Sequence, residues 1–321
     1  MKKPNLFSFA TSELSQDAFI CWLVSWADES YKELNLEMYT LGQAFIELLF
    51  EESLQKPKSI TKIKVYRQFE QIDVLVEVND EYVILIEDKK DTQVHSNQLE
   101  RYLEILKKQY TNWKHIPVYY KMLEQSNVSE MKRLQYNLIT RDKMINLLVE
   151  HLVHPLVVDY YEYLLEIEHQ VNSFKTAPLT TWTRYSWYGF YTYLQTVGIR
   201  GEWDYVSNAR GGFMGFWWYF HQVQDLEIYL QIEEHKLCIK IYVKDRQQQS
   251  ELREKWSKYI LEKAVEQQIQ LERPKRFGKG TYMTIAQVAD DFRKVNKQGQ
   301  LDLVETMHVL NQVQCFLKKI I

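Results

Sequence analysis

Three residues on two neighbouring β-rich runs set the chemistry this chain could perform. Residues 71–78 read Gln-Ile-Asp-Val-Leu-Val-Glu-Val and residues 82–90 read Tyr-Val-Ile-Leu-Ile-Glu-Asp-Lys-Lys. Side chains two apart in a strand share a face. Asp73, Leu75 and Glu77 therefore share one face of the first run, and Val83, Leu85, Glu87 and Lys89 share one face of the second. Glu87 and Lys89 stand roughly 6.6 Å apart along the strand. Asn79-Asp80 is a turn signal between the runs, which predicts an antiparallel hairpin. The four apolar residues before Glu87 suggest a strand covered on both faces. Charges at the end of such a strand are costly unless they are paired or bind a metal. Two hard carboxylates, with carbonyls and water, suit Mg²⁺, with Mn²⁺ as the alternative. Such an ion polarises a phosphoryl group and activates water, and Lys89 could orient that water or stabilise developing charge. The bland alternative is a solvated strand end with an ordinary ion pair.

A second frame overlaps the first. Asp88-Lys89-Lys90 also spells an acid followed two positions later by lysine, so Asp88 is a further candidate metal ligand. Strand alternation points it away from the Glu87 face, and a bulge at the strand end would weaken that preference. Downstream, Gln98 and Tyr102 are four apart and fall on one face of a helix expected over residues 96–108. Their plain reading is a surface pair beside the stripe of Leu99, Leu103 and Leu106.

Asp73, then Glu87-x-Lys89 fourteen positions later, then Gln98 and Tyr102 on the next helix, resemble the PD-(D/E)XK nuclease superfamily. The resemblance implies a restriction-endonuclease-like mixed sheet flanked by helices. It also implies metal ligation by Asp73 and Glu87, action of Lys89 on the attacking water, and a Gln-x-x-x-Tyr helix beside the site. The opening Asn5-Leu6-Phe7-Ser8-Phe9-Ala10-Thr11-Ser12-Glu13 resembles the start of a bacterial branch of that superfamily. The implied substrate is nucleic acid, with DNA favoured. Ile72 stands where the proline of the family name often precedes the first Asp. The resemblance covers roughly the first half of the chain.

The elements that must position these groups follow in order. A first helix is expected from Ser12, with Ala18, Phe19, Trp22, Leu23 and Trp26 on its buried stripe. Glu13 at its start is either a capping carboxylate or a third acidic group of the site. A second helix is expected over residues 41–53, carrying Glu47, which competes with Glu13 for that role. Residues 60–69 alternate well enough to be a strand pairing with the hairpin, and residues 92–97 form a polar connector in which His95 is read as a loop residue. Strands at 116–120 and 136–140 and helices at 144–153 and 155–171 complete a first domain, residues 1–172.

Beyond residue 172 the composition shifts. Six of the nine Trp lie there, which places an aromatic-rich α+β domain with an antiparallel sheet over residues 173–321. Arg210-Gly211-Gly212 opens an aromatic strand, and residues 226–243 read as a hairpin. Trp217 and Trp218 point to opposite faces of that strand, one to the core and the other free to stack on a base or meet a partner. Arg273, Lys275, Arg276 and Lys279 put four cations in seven residues and could grip a phosphate backbone, or simply decorate a solvated loop.

A net charge of −3 excludes a wholly basic nucleic-acid binder, so any positive field must be local. Three scattered cysteines argue for a reducing compartment and against a zinc site or disulfide frame. No segment approaches the ~20 apolar residues of a membrane span, so a cytoplasmic protein is expected. A non-cleaving binding module that keeps the fold is the rival reading, and a homodimer through the Trp-rich surface is a further one.

Overall fold

The computed structural model describes residues 3–91, 97–208, 211–278 and 280–321. Residues 92–96 of the connector expected over 92–97, with His95, the residue pair Ala209-Arg210, and Lys279 lie outside the described residues.

The first part of the chain runs α1 (Glu13–Ser25), α2 (Leu36–Leu49), β1 (Ile63–Phe69), β2 (Ile72–Val78), β3 (Tyr82–Lys89), α3 (Gln98–Gln109), β4 (Lys114–Lys121), α4 (Ser129–Arg133), β5 (Asn137–Thr140), α5 (Arg141–Val149) and α6 (Pro155–Asn172). The five strands form one sheet in sequence order. β1, β2 and β3 are antiparallel neighbours, whereas β4 and β5 run parallel to β3. The local part is built from tight turns. Glu70 and Gln71, which join β1 to β2, both have positive φ, as do Asn79 and Asp80 after β2. Left-handed turns match the right-handed twist of the paired strands. The parallel part needs the crossovers that α3 and the α4 segment supply.

All eight residues of β3 are buried, as expected for a central strand covered on both faces. Leu75, Val83, Leu85 and Tyr119 pack with Leu99, Tyr102 and Leu106 of α3. The opposite face lies towards α1, whose buried residues are Gln16, Asp17, Phe19, Ile20, Leu23 and Val24. The expected α1 stripe is thus rotated. Ala18 is exposed, and Trp22 and Trp26 are only half-buried, because two polar residues occupy the buried face. Helix α2 begins five residues before its expected start, capped by Asn35, whose side chain accepts from the Met38 N–H. Helix α4 has no counterpart among the expected elements.

The chain divides into two compact units, Met1–His169 and Gln170–Ile321, the division falling near the end of α6. The second unit holds α7 (Arg184–Thr196), β6 (Gly201–Asn208), β7 (Gly211–Val223), β8 (Leu226–Glu233), β9 (Lys236–Tyr242), α8 (Gln249–Glu266), β10 (Leu271–Glu272), β11 (Tyr282–Val288) and α9 (Leu303–Ile320). Its six strands form an antiparallel sheet in the order β10-β11-β9-β8-β7-β6. Of the tryptophan pair, Trp218 is the buried one, and its indole N–H donates to Gln314 Oε1 at 2.7 Å.

Candidate active site

The β2–β3 ladder places Val74 opposite Ile86. One step beyond, Asp73 leaves the ladder and its carboxylate captures the strand-end donor: the Asp88 N–H donates to Asp73 Oδ2 at 3.0 Å. This bond holds Asp73 beside the last residues of β3. The Lys89 ammonium lies 2.5 Å from Glu87 Oε1 and 3.6 Å from Asp73 Oδ2, and donates to the Asp88 carbonyl at 3.2 Å. Asp73, Glu87 and Lys89 therefore meet at one point, at the carboxyl end of β3.

Helix α3 closes this point from one side. Gln98 Nε2 donates to Glu87 Oε1 at 2.7 Å and to the Tyr102 hydroxyl at 2.8 Å. The Tyr102 hydroxyl donates to the Gln71 carbonyl at 2.6 Å, which fixes the β1–β2 turn just before Asp73. Gln98 and Tyr102 are not a free surface pair: Tyr102 is only 2% exposed. Their four-residue spacing lets one helix face hold both strands of the hairpin.

Glu13 and Glu47 separate cleanly. Ser12 caps α1, its side chain accepting from the Ser15 N–H, and Glu13 in the first turn reaches the strand end, where Glu13 Oε1 accepts from the Lys90 N–H at 2.9 Å. Lys90 in turn donates to the Thr11 carbonyl at 2.9 Å. Glu47 is exposed on α2 and lines a groove with Glu29, Lys56 and Lys58 that includes none of the residues above. It projects from the solvent side of α2, away from the buried stripe of Leu41, Phe45 and Leu49.

Asp88 is placed on the opposite face of β3, so its carboxylate does not join Asp73 and Glu87. It is wholly buried and accepts from Gln16 Nε2 of α1. Asp17, 1% exposed, lies against it within hydrogen-bonding reach. Gln68 links this pocket to the first one, its Nε2 donating to Asp17 Oδ2 at 3.2 Å and to Asp73 Oδ1 at 3.3 Å. Gln68 has a φ of 56° and stands between the pairs Arg67↔Val74 and Phe69↔Ile72, across from Asp73. Gln16, Asp17 and Gln68 went unassigned by sequence reasoning. The available signal was the run Ser15-Gln16-Asp17, two polar residues where the helical period calls for apolar ones.

Burial dominates the electrostatics. It pushes the Glu87 carboxyl up to about 7, with Asp73 adding repulsion and Lys89 opposing both. Burial likewise raises Asp17 to about 6, helped by Asp73 and opposed by hydrogen bonds from Asp88 and Gln68. Asp88 is held well above the carboxylate range by burial and by Asp17. Desolvation alone would lower Lys89, but Glu87 and Asp73 outweigh it and keep the ammonium charged. The carboxylates as a group are short of positive charge.

The polar atoms left over say the same. Among the described residues, Glu87 Oε2 and Gln16 Oε1 are buried acceptors with no hydrogen-bond partner, and Asp88 Oδ2 and Asp17 Oδ1 lack a donor unless one of the two acids is protonated. Such groups are costly unless a proton, water or cation completes them. Among the described residues, no group of three or more His, Cys, Asp or Glu side chains is placed to hold a metal ion. An ion held by Asp73 and Glu87 would complete its shell with backbone carbonyls and water, the manner in which Mg²⁺ is commonly bound. The donor set fits a hard divalent cation.

With this geometry in place, comparison with known proteins assigns the class. A family model of the PD-(D/E)XK nuclease superfamily matches residues 4–185, more than half of the chain. The chain belongs to that superfamily, whose members are generally nucleases. Neither the curated proteins nor the solved structures contain a match.

In the second unit, Arg273 pairs with Glu254 at 2.6 Å and stacks on Phe277, whose ring also lies against Arg253. Lys275 and Arg276 line a groove of about 770 Å³ together with Glu233, Glu272 and Asp290. Among the described residues, no helix is long and apolar enough to cross a membrane.

Proposed function

We propose that this chain is a Mg²⁺-dependent nuclease acting on DNA, with Asp73 and Glu87 as the metal ligands and Lys89 as the residue that positions the attacking water. The observation that carries this reading is the meeting of Asp73, Glu87 and Lys89 within 3.6 Å at one strand end, beside the unpartnered buried oxygen Glu87 Oε2. A bound divalent ion would polarise the phosphoryl oxygen and lower the pKa of a coordinated water. The protein's own part is positional. Gln98 orients the Glu87 carboxylate, Tyr102 fixes the turn before Asp73, and Gln68 orients Asp73 from its far side. Glu13 completes the acidic set at the mouth of the strand. Lys275 and Arg276 would meet the phosphate backbone from the second unit, whereas Arg273 is committed to Glu254 and Phe277. Mn²⁺ is expected to substitute for Mg²⁺, since both take oxygen ligands.

Incubation of the pure chain with plasmid, linear and single-stranded DNA and with RNA, in Mg²⁺, Mn²⁺ and EDTA, tests the reading. Cleavage in Mg²⁺ that EDTA stops is expected. Binding without cleavage in every metal would instead assign the non-cleaving alternative.

A further inference from the structure

The sheet of the second unit has one face packed and one face half-open. Alternation along β7 sets Phe213, Gly215 and Trp217 on one side of that strand and Met214, Phe216 and Trp218 on the other. The second side is the core side: the Phe216 ring lies 5.5 Å from the Tyr191 ring of α7, and Trp218 donates to Gln314 of α9. On the first side, Phe213 and Trp217 are only half-buried. Gly215 lets these two rings flank one gap, since a Cβ there would meet Phe213 Cε2 at 3.2 Å and Trp217 Cζ3 at 3.4 Å.

The same side carries unspent positive charge. Gly215 pairs with Glu233, and Glu233 with Lys236, so these side chains share the face of the two rings. Phe213, Glu233 and Lys236 line the groove of about 770 Å³ together with Lys275 and Arg276. The acids of that groove are largely committed within the protein. Glu233 accepts from the buried Lys240 at 2.6 Å, Glu272 from the Gln287 amide at 2.7 Å, and Asp291 from Arg293 at 2.7 Å. Exposed Asp290 is the exception. Among the described residues, Lys236, Lys275 and Arg276 are exposed and form no ion pair. The loop that bears two of them is tied down. Phe277 lies against the guanidinium groups of Arg253 and Arg273, at 3.9 and 3.8 Å, and Arg253 donates to the Arg276 carbonyl at 3.4 Å. Cations held in place lose less freedom on meeting an anion.

Uncommitted cations around a concave surface with aromatic rings suit one kind of ligand. Phosphates meet the cations, and unstacked bases meet the rings. A duplex keeps its base faces inside the stack, so only an open strand can offer them to rings lying in a groove. We propose that this face of the second sheet binds single-stranded DNA, with Lys236, Lys275 and Arg276 on the phosphates and Phe213 and Trp217 against the bases. The choice of DNA rests on the nuclease reading above.

The test measures binding of the full chain to a single-stranded oligonucleotide, to its duplex and to an abasic strand of equal length, all in EDTA so that no cleavage intervenes. Wild type should bind the single strand best. Phe213→Leu and Trp217→Leu should each weaken the single strand by about tenfold and leave the abasic strand unchanged. Phe213→Tyr and Trp217→Phe, which keep a ring, should bind like wild type. Joint replacement Lys275→Ala and Arg276→Ala should weaken both strands and reduce the slope of log binding constant against log salt by about 1.4, two phosphates at ~0.7 each. Equal binding of the abasic and normal strands, or a preference for the duplex, overturns the inference. So does a mononucleotide that competes at the same concentration as the strand, which would mark a small-ligand site. A loss that follows the melting temperature of each variant and not the presence of a ring marks a packing role and also overturns it. Wild type that binds the strand but cuts nothing in Mg²⁺ or Mn²⁺ removes the nuclease reading and leaves this one. Wild type that cuts, with every variant binding like the parent, removes this one and leaves the other.

Discussion

The two faces of β3 carry neighbouring carboxylates into opposite situations. On the α3 face, Glu87 meets the Lys89 ammonium at 2.5 Å and the Gln98 amide at 2.7 Å. On the α1 face, Asp88 meets Gln16 and another acid, Asp17, and Lys89 opposes the rise in Asp17 only weakly. One residue of chain separates a charged pocket suited to an ion from a pocket in which burial and mutual repulsion of two acids favour the protonated form. Alternation along a strand thus sorts reactive groups from supporting ones. Gln68 spans both pockets and couples the support to the site.

The largest expected effect tests the charged face. Asp73→Ala or Lys89→Ala should abolish Mg²⁺-dependent cleavage, a loss on the order of 10³-fold or more, with the circular dichroism spectrum unchanged. Substantial activity in both variants would remove the site. The proton-holding face makes a stability prediction instead. The folded chain raises Asp17 from its ordinary 3.8 to about 6, so the fold binds this proton more tightly than the unfolded chain does. Its contribution is fully present below pH 4 and is withdrawn as pH rises to about 6. Asp17→Asn should therefore gain stability relative to wild type across that window, on the order of 1–3 kcal/mol. Parallel pH profiles of Tm for the two proteins would refute a shared proton.

The coupling between the faces is worth less. Gln68→Ala should cost roughly tenfold in kcat/KM, the equivalent of one hydrogen bond of about 1.4 kcal/mol, with a shift in the Mg²⁺ concentration needed for half activity. An unchanged Mg²⁺ titration would show that Asp73 needs no such support. The smallest effects separate Glu13 from Glu47. Glu13→Gln should lower activity a few-fold, and Glu47→Gln should change neither activity nor stability beyond about 0.5 kcal/mol. The reverse ranking would move the third acid to α2.

Much of the charged face was legible in the sequence because local rules determine it. The hairpin follows from Asn79-Asp80 and from two alternating runs, and antiparallel register then brings Asp73 to the end of β3. The helical spacing of Gln98 and Tyr102 puts both on one side of α3, although only the structure shows that side turned to Glu87. The proton-holding face was not legible. Gln16 and Asp17 lie on the buried side of α1, and polar residues there weaken the apolar period by which a helix face is recognised. The period read from Ala18, Phe19, Trp22, Leu23 and Trp26 accordingly caught Phe19 and Leu23 but set Ala18, Trp22 and Trp26 too deep. Gln68 depends on a left-handed residue in β1 that no glycine or asparagine announces. Glu47 failed to join the cluster because an acid beside a buried stripe can face either way.

The order of the sheet has a consequence for how the site is assembled. β1, β2 and β3 pair with sequence neighbours, so Asp73, Glu87 and Lys89 come together early and cheaply in chain entropy. Gln98 joins only when α3 docks on the finished hairpin, a slower, less local step. A nascent or refolding chain therefore owns its acids before it owns the groups that aim them. On the proposed nuclease reading, recovery of cleavage on refolding should lag behind formation of the hairpin signal, so that half-made molecules would not yet cut.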